Sequence, residues 1–319
     1  MKVAFVVLNW NKSDMSIDCV ENVRKVEGDE HGIIVVDNNS DPIERGKIVT
    51  YAAENGWRIL NEDEVVRSNN LSNQSTEFRN ILLLANKNYG YARGNNLGLK
   101  LARSLGYKWA VVMNNDVILE KPLLKILFDL VHKDDKIAVI GPKVIGPDGK
   151  RQGPYQKPGI YDYFLYPVLY PILYPYEKIR ARMFIRKLQN SEITYPYRLT
   201  GCFMLMNLDV LNKVGWFDEN TFLYAEEMIL SEKLYKAGYK VAYTDKVHVK
   251  HLHEASTSAL GKKRKLIQLE SDLYYFREYR GYGKIRLSLV RIGIIYREFF
   301  LWPILCKIKR WFKCVKELF

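Results

Sequence analysis

The first regular pattern of the chain is VAFVVLNWN at Val3–Asn11, in which six apolar residues run directly into an amide side chain. A second apolar run, Ile33–Val36, follows a segment in which Met15, Cys19 and Val23 recur at helical spacing. Unbroken β-branched runs are typical of strands that are covered on both faces of a parallel sheet. The pattern therefore predicts a strand–helix–strand unit and an α/β fold.

The same alternation continues along the chain. It predicts further strands at Ile81–Ala85, Trp109–Met113 and Ile137–Ile140, with helices near Asn95–Ser104 and Pro122–Val131. Between residues 146 and 196 this alternation stops, and the sequence becomes rich in proline and tyrosine. Regular structure is expected to resume at Phe203–Met206, Glu226–Ala237 and Lys240–Thr244.

The positive charge of the chain is concentrated at its C-terminal end. Residues 262–319 hold 15 Lys/Arg against 5 Asp/Glu, a net of +10, which leaves +3 of the formal +13 for residues 1–261. A nucleic-acid interface would need basic residues spread with aromatics across a folded face. The charge distribution therefore predicts no nucleic-acid partner.

The spacing of the cysteines and the hydropathy pattern indicate the cellular compartment of the protein. The four cysteines, Cys19, Cys202, Cys306 and Cys314, form no CxxC pair and no metal-ligand spacing, which is typical of reduced thiols. The N-terminal apolar run is too short for a signal peptide, and no stretch of about 18 uncharged apolar residues could span a bilayer. We therefore expect a cytoplasmic protein.

Three predicted strands run into polar segments. Asn9–Asn11 follow the first strand, Asp37–Asp41 follow the second, and Asn114–Asp116 follow the strand at Trp109–Met113. Each segment alone fits an ordinary turn, because Asn and Asp favour turns. Since ligands bind at the carboxyl ends of the strands in open α/β sheets, the three segments together predict one crevice lined by amides and carboxylates.

Two of the polar segments suggest phosphate chemistry. Asp116, directly after a buried strand, could hold Mg²⁺ or Mn²⁺, and such an ion would neutralise a departing diphosphate. The segment Asn88–Asn96 combines glycines, amides and Arg93 ahead of a predicted helix, which suits phosphate binding. It is neither GxGxxG nor a P-loop, so a generic dinucleotide or ATP site is not supported.

These motifs, continued in order by three more, resemble those of family 2 glycosyltransferases, most closely the rhamnosyltransferase-like branch. The resemblance covers about residues 1–256 and implies a GT-A fold, a nucleoside-diphosphate sugar donor, a divalent cation and inversion at the anomeric carbon. The motifs that carry it are Asn9–Asn11, Val35–Ser40, Asn88–Asn96, Asn114–Val117, Thr200–Met204, Gly215–Glu219 and Phe222–Glu227.

The resemblance also implies roles for single residues. It places Asp116 and His251 at the metal, and Asp37 at the nucleobase. The remaining donor-binding positions are Asn9, Asn11, Asn38, Asn88, Arg93, Asn114 and Asn115. The chain departs from the family pattern at Asn114, where an acid is often found, and at Met228 and Ile229, where the family has a further acid.

The resemblance places the catalytic base at Glu227, with Glu226 beside it. An inverting transfer needs a carboxylate that takes the proton of the attacking hydroxyl. Both side chains lie at a predicted helix start, where the helix dipole favours an anion. The alternative is that they only stabilise the first helical turn.

We expect a GT-A catalytic domain at residues 1–260, with a nucleotide-sugar half at about 1–120 and an acceptor half at about 121–260. Residues 261–319 form a basic amphipathic helical tail with its apolar stripe at Ile308, Trp311, Phe312, Val315 and Phe319. Such a helix suits the anionic inner face of the cell membrane. The alternative is packing on the catalytic domain or on a second subunit, as in a homodimer. The aromatic segment Tyr161–Tyr176 could add an interfacial patch or fill a core.

The predicted function is inverting transfer of a sugar, with dTDP-rhamnose favoured by the branch, to a glycan or a lipid-linked glycan. A sugar-nucleotide pyrophosphorylase would need a glycine-rich, arginine-containing loop after the first strand, and Asn9–Ser13 has none. A non-catalytic nucleotide- or membrane-binding protein is the third possibility. The presence of both Asp116 and Glu227 argues against it.

Overall fold

The computed structural model describes residues 2–67, 79–252 and 263–307. The strands are β1 Ala4–Asn9, β2 Gly32–Asp37, β3 Arg58–Asn61, β4 Asn80–Leu84, β5 Trp109–Asn114, β6 Val117–Leu119, β7 Ile137–Ile145, β8 Phe203–Asn207 and β9 Lys240–His251. The helices are α1 Ser13–Glu27, α2 Pro42–Glu54, α3 Glu62–Arg67, α4 Gly90–Ser104, α5 Leu124–Val131, α6 Tyr166–Val168, α7 Tyr170–Asn190, α8 Leu208–Val214, α9 Glu226–Lys236, α10 Lys263–Tyr274 and α11 Lys284–Tyr296. Three π-helical turns lie at Tyr161–Leu165, Tyr275–Tyr279 and Arg297–Leu301.

The described strands form one mixed, mostly parallel sheet in the order β3-β4-β2-β1-β5-β8-β7-β9-β6. The first five in that order pair in parallel, whereas β8 runs antiparallel to both β5 and β7. Asn9 lies opposite Asp37, and Leu8 lies opposite Asn114. The carboxyl ends of β1, β2 and β5 therefore meet at one edge, as the sequence predicted.

The strands of the first half lie where their apolar runs predicted them, and their interior residues are buried. Helix α4 begins at Gly90, five residues before the predicted start. Apolar side chains do not recur at helical spacing in Gly90–Gly94, so the sequence pattern did not predict that the helix includes these residues. Instead the Asn88 side chain accepts a hydrogen bond from the Gly90 amide at 2.9 Å, while Gly90 has a φ of +73°.

Two glycines bring α4 close to the sheet. A Cβ atom at Gly94 would lie 2.7 Å from Cδ1 of Leu8, and one at Gly98 would lie 2.5 Å from Cγ1 of Val6. Larger side chains at these positions would push the helix away from β1. The glycines thus place the start of α4 above the carboxyl edge of the sheet.

The described residues divide into two compact units. Of the described residues, the first unit comprises 2–67, 79–156 and 188–252, and the second comprises 157–187 and 263–307. The proline- and tyrosine-rich segment thus groups with the C-terminal helices, for example through Tyr163 and Phe276, whose ring centroids lie 4.9 Å apart. The apolar stripe predicted at residues 308–319 lies outside the described residues. Within the described part of the chain, no helix is both long and apolar enough to cross a bilayer.

Candidate active site

Asn9 is the centre of a buried polar network at the end of β1. Its side chain is fully buried, and its Nδ2 donates to Oδ1 of Asp37 at 3.0 Å. Its Oδ1 accepts a hydrogen bond of 2.8 Å from the Ser16 hydroxyl of α1. Asn9 therefore ties the ends of two strands to the following helix and shapes the floor of the crevice.

Asp37 is also fully buried, and Arg45 supplies the opposite charge. Nε of Arg45 donates to its Oδ2 at 2.7 Å, and the Ser40 amide donates to the same oxygen at 3.3 Å. The Arg45 guanidinium also reaches the Ala85 carbonyl at the end of β4, at 2.9 Å. A buried carboxylate needs such a partner, because an unpaired charge in the interior is costly. Sequence reasoning missed Arg45, which lies eight residues after Asp37 on α2.

Asn38 fixes the loop that leads into α4. Its Nδ2 donates to Asn88 Oδ1 at 3.0 Å and to the Gly90 carbonyl at 3.1 Å. Its Oδ1 accepts from the Tyr89 amide at 3.0 Å. The predicted donor-binding residues Asn38 and Asn88 are thus brought together, and they hold the backbone of the loop in place.

Arg93 lies on the first turn of α4 with its side chain 42% exposed. Its guanidinium stacks on the Tyr89 ring at 3.8 Å from the centroid. Glu62 and Glu219 lie 3.6 Å and 3.8 Å away. The cation is therefore oriented by its neighbours and still accessible to a ligand.

Asn11 closes the first loop of the crevice. It has a φ of +53°, a conformation that Asn adopts more readily than most residues. Its Oδ1 accepts from the Asp41 amide at 2.7 Å, and its own amide donates to the Ser40 hydroxyl at 2.9 Å. Asn11 therefore links the loop after β1 to the loop after β2.

The polar turn after β5 joins that strand to β6. The Asn114 amide donates to the Cys202 carbonyl at 2.9 Å, and Nδ2 of Asn115 donates to the Ser16 hydroxyl at 2.9 Å. A cleft of about 420 Å³ opens beside the turn, with Asp18, Asn115 and Asp116 among its lining residues. Asp116 therefore lines this cleft at the carboxyl edge, although only 8% of the residue is exposed.

Asp116 and His251 form a pair at the end of β6 and β9. His251 Nε2 lies 3.1 Å from Asp116 Oδ1, and both side chains are largely buried. The other ring nitrogen, Nδ1, faces Gln152 Oε1 at 2.7 Å. Depending on the protons on the ring, Nε2 either donates to the Asp116 carboxylate or presents its lone pair beside it. Among the described residues, no group donates a hydrogen bond of ordinary geometry to Asp116 Oδ1.

Asp116 and His251 are the described residues here that could hold a divalent cation, since a carboxylate oxygen and an imidazole nitrogen are both ligand types for such ions. An oxygen such as that of Gln152 commonly orients a ligating histidine. Two adjacent ligands of an octahedral ion lie about 3 Å apart, close to the 3.1 Å between Asp116 Oδ1 and His251 Nε2. Within the described residues, no third His, Cys, Asp or Glu joins them.

Glu227 faces the same region from the start of α9. Its Oε1 accepts a hydrogen bond of 3.0 Å from the Gly201 amide, and Tyr91 OH donates to the Gly201 carbonyl at 2.5 Å. A Cβ atom at position 201 would lie only 2.4 Å from Glu227 Oε1, so a larger residue there would displace the carboxylate. Burial raises the pKa of Tyr91 well above its usual range, and the charges of Glu227 and Glu226 raise it further.

The turn before α9 orients the two glutamates. Tyr224 and Ala225 have φ values of +72° and +66°, which non-glycine residues rarely adopt. Such strained backbone concentrates at functional sites. Glu226 is 3% exposed, whereas Glu227 is partly exposed. Of the two, Glu227 is therefore better placed to meet an incoming acceptor.

The charges of Asp116 and Glu227 both act on the thiol of Cys202. Its pKa is raised mainly by burial, and the negative charges of Asp116 and Glu227 raise it further. Both carboxylates thus act on one buried thiol at the start of β8. The fold brings the predicted metal position and the predicted base to the same part of the crevice.

Comparisons with known proteins agree on the class of this protein. A family model described as glycosyltransferase like family 2 matches residues 1–266. The chain is also 27% identical over 182 residues to an N-acetylglucosaminyl-diphospho-decaprenol L-rhamnosyltransferase of Mycobacterium tuberculosis. That match covers 57% of this chain and 58% of the relative, so the chain spans little more than half the length of the curated relatives it matches.

Solved structures of low sequence identity share the fold. A mannosyltransferase from Pyrobaculum calidifontis, in complex with GDP-Man and Mn²⁺, aligns with a TM-score of 0.54 at 13% identity, covering 94% of this chain and 71% of that one. GalNAc-T7, with UDP, GalNAc and Mn²⁺, aligns with a TM-score of 0.55 at 14% identity, covering 95% of this chain and 57% of that one. These likenesses confirm the predicted GT-A fold. Because the family model spans most of its length, the chain belongs to the glycosyltransferase-like family 2.

Proposed function

We propose that this glycosyltransferase transfers a sugar, with inversion, from a nucleoside-diphosphate donor to a lipid-linked glycan. The observation that carries the proposal is the pair Asp116 Oδ1 and His251 Nε2, 3.1 Å apart, in the same part of the crevice as Glu227. A carboxylate oxygen and an imidazole nitrogen are both ligand types that a divalent cation takes. A diphosphate donor bound through such a cation would use this pair.

The donor diphosphate and nucleoside are proposed to bind at the carboxyl edge. Arg93 offers an exposed guanidinium, which suits phosphate oxygens. Asn9, Asp37 and Asn38 shape the floor on which the nucleoside lies. The relative from M. tuberculosis is named as an L-rhamnosyltransferase, which favours dTDP-rhamnose as the donor.

The donor atoms at the acidic turn fit Mn²⁺ or Mg²⁺. Magnesium is commonly held by one or two protein groups, with substrate phosphates and water completing its shell. Asp116 and His251 would be the protein ligands, and Gln152 would orient the histidine. When bound, the ion supplies charge neutralisation for the departing diphosphate. The manganese in the two similar structures supports a divalent cation.

Glu227 is proposed as the general base. It accepts the proton of the acceptor hydroxyl as that oxygen attacks the anomeric carbon from the face opposite the diphosphate. The bond to the diphosphate oxygen breaks as the new glycosidic bond forms, which inverts the configuration. The hydrogen bond from the Gly201 amide fixes the Glu227 carboxylate, so that one oxygen is positioned before the acceptor arrives.

The acceptor is proposed to be a glycan carried on a lipid diphosphate. The printed name of the M. tuberculosis relative describes an acceptor of this class. An acceptor of this kind would bring the protein to the inner face of a membrane. The membrane contact that the sequence predicted for the tail stays a prediction.

A donor screen tests the proposal. Nucleoside diphosphate release is measured for dTDP-, UDP- and GDP-sugars, with and without Mn²⁺, together with the shift in Tm that each donor produces. We expect one donor to raise Tm and to be turned over only with the cation. Release of pyrophosphate from a nucleoside triphosphate and a sugar phosphate would instead identify a pyrophosphorylase. Binding without turnover in the presence of a lipid-diphosphate acceptor would favour a non-catalytic protein.

A further inference from the structure

Helix α7, in the second unit, exposes an apolar stripe along its length. Ile172, Tyr176, Ile179 and Met183 are 74%, 55%, 57% and 65% exposed. Their spacing of four, three and four residues places them on one face of an α-helix. Large apolar side chains at these exposures are not covered by any other described part of the second unit.

The helix is held to its own unit on another face. Arg180 lies 3.0 Å from Asp162 of the preceding π-helical turn, and the Tyr161 hydroxyl donates to Glu177 at 2.7 Å. The stripe therefore points away from these contacts. Its exposure follows from how α7 is anchored.

Cations border the stripe. Arg182 lies three residues from Ile179, and Arg186 lies three residues from Met183, so each pair of side chains is adjacent on the helix surface. Within the described residues, neither arginine forms an ion pair. The described residues of the second unit, 157–187 and 263–307, together hold 16 Lys/Arg against 6 Asp/Glu, a net of +10.

We propose that α7 lies in the interface of an anionic membrane, with the stripe Ile172–Met183 inserted among the acyl chains and the flanking arginines at the headgroups. An apolar face bordered by Arg and Lys is the pattern of helices that lie in the plane of a membrane. Long cationic side chains can keep their charge in the headgroup layer while their stems remain apolar. A second copy of the chain is a poorer occupant, because a symmetric contact across the stripe would bring the same cations together.

This surface is distinct from the apolar stripe predicted for the tail, since α7 is inserted between β7 and β8 and ends more than 100 residues before residue 308. It does not depend on the proposed donor, metal or base. Its test can therefore fail while the proposed function holds, and the proposed function can fail while membrane binding holds.

The test is flotation of the full chain with vesicles of phosphatidylcholine alone and with added phosphatidylglycerol. The variant Ile172→Gln/Ile179→Gln/Met183→Gln should bind the anionic vesicles about 100-fold more weakly than wild type. Arg182→Gln and Arg186→Gln should each cost about fivefold on anionic vesicles and nothing on neutral ones. The matched control is Ile43→Gln on α2 of the first unit, where the side chain is 76% exposed, and it should bind like wild type.

A far-UV circular dichroism spectrum and a Tm without donor that both match wild type show that each variant is folded. The proposal is overturned if wild type does not float, or if the triple variant binds within about twofold of wild type. It is also overturned if deleting residues 308–319 releases the protein while the triple variant stays bound. Conversion of a dimer to a monomer by the triple variant, with vesicle binding unchanged, would assign the stripe to a second copy and overturn the proposal.

Discussion

The two units of the molecule differ in which side chains depart most clearly from ordinary burial. In the first unit, polar groups such as Asn9, Asp37 and Asn38 are buried and hydrogen-bonded to one another or to backbone. In the second unit, apolar groups such as Ile172 and Ile285 are exposed, at 74% and 80%. The described residues of the second unit carry a net charge of +10, while residues 1–156 and 188–259 hold 28 Lys/Arg against 29 Asp/Glu.

Buried polar groups and exposed apolar groups each need a partner, but of a different kind. A buried polar group needs a fixed partner, so a network of such groups specifies one geometry and suits a reaction site. An exposed apolar surface needs an external partner, so it suits recognition. The two proposals assign chemistry and membrane placement to separate parts of one chain, and substitutions should separate them.

The largest expected effect is loss of turnover without loss of membrane binding. Glu227→Gln keeps the hydrogen bond from the Gly201 amide but cannot accept the acceptor's proton, so kcat should fall about 10²–10⁴-fold. Donor binding and vesicle flotation should be unchanged. Transfer rates, donor-induced Tm shifts and flotation are measured together.

Two matched variants control this experiment. Glu226→Gln should cost less, because that side chain is 3% exposed and less accessible to an acceptor. Glu270→Gln on α10 of the second unit removes an exposed acid and should leave kcat unchanged. An inactive Glu226→Gln with an active Glu227→Gln would place the base one residue earlier. Near-normal transfer in both would refute the proposed base.

The next effect concerns the cation. Asp116→Ala removes the carboxylate that faces His251, so the gain in donor affinity produced by Mn²⁺ should be lost. Gln152→Ala removes only the group that orients His251, and should weaken Mn²⁺-dependent binding about 10–100-fold. Donor affinity is measured by calorimetry with and without Mn²⁺.

The control for the cation is Asp18→Ala, because Asp18 is another acid that lines the same cleft. It should keep the response to Mn²⁺. Equal donor affinity in wild type and Asp116→Ala, with Mn²⁺ present, would show that Asp116 is not a ligand. Because these residues lie in the first unit, we expect none of these changes to affect flotation with vesicles.

Sequence predicted the sheet edge well because buried strands leave a strong local pattern. Val3–Leu8 and Trp109–Met113 are continuous apolar runs, and polar residues follow each of them. The same pattern could not show that the Asn9 and Asp37 side chains are fully buried. Their orientation depends on Arg45, whose contact with Asp37 joins different elements.

The second unit was harder to predict because long-range contacts define it. Tyr163 packs on Phe276, and a Cβ atom at Gly293 would lie 1.8 Å from the Tyr163 carbonyl. A periodic pattern within a short stretch of sequence cannot reveal contacts between positions so far apart. The spacing of Ile172 and Ile179 identifies a helix face, but a period cannot show whether another element covers that face. The sequence therefore placed the boundary at residue 260 and left residues 157–187 with the catalytic domain.

A stability experiment sharpens the same comparison. Arg45→Met leaves the buried Asp37 carboxylate without its cation, and should lower the free energy of unfolding by about 2–3 kcal/mol. Ile285→Gln, at a side chain that is 80% exposed, should change it by less than about 0.5 kcal/mol. Urea denaturation measures both. The double variant Asp37→Asn/Arg45→Met should recover part of the loss, and no recovery would mean that packing of the arginine, not its charge, stabilises the loop.

The smallest expected effect is the response of the first unit to acid. Hydrogen bonds from Lys133 and Lys246 lower the pKa of Glu192 from 4.5 to about 2. A carboxyl whose pKa is depressed in the folded state contributes stability above its unfolded pKa, and loses it as the pH falls through the folded value. The Tm of wild type should therefore exceed that of Glu192→Gln at pH 7, and the difference should shrink between about pH 4.5 and 2. Because each scan compares two proteins at one pH, titration of other groups cancels. A difference in Tm that persists unchanged at pH 2 would mean that Glu192 stabilises the first unit by packing and not through its ion pairs.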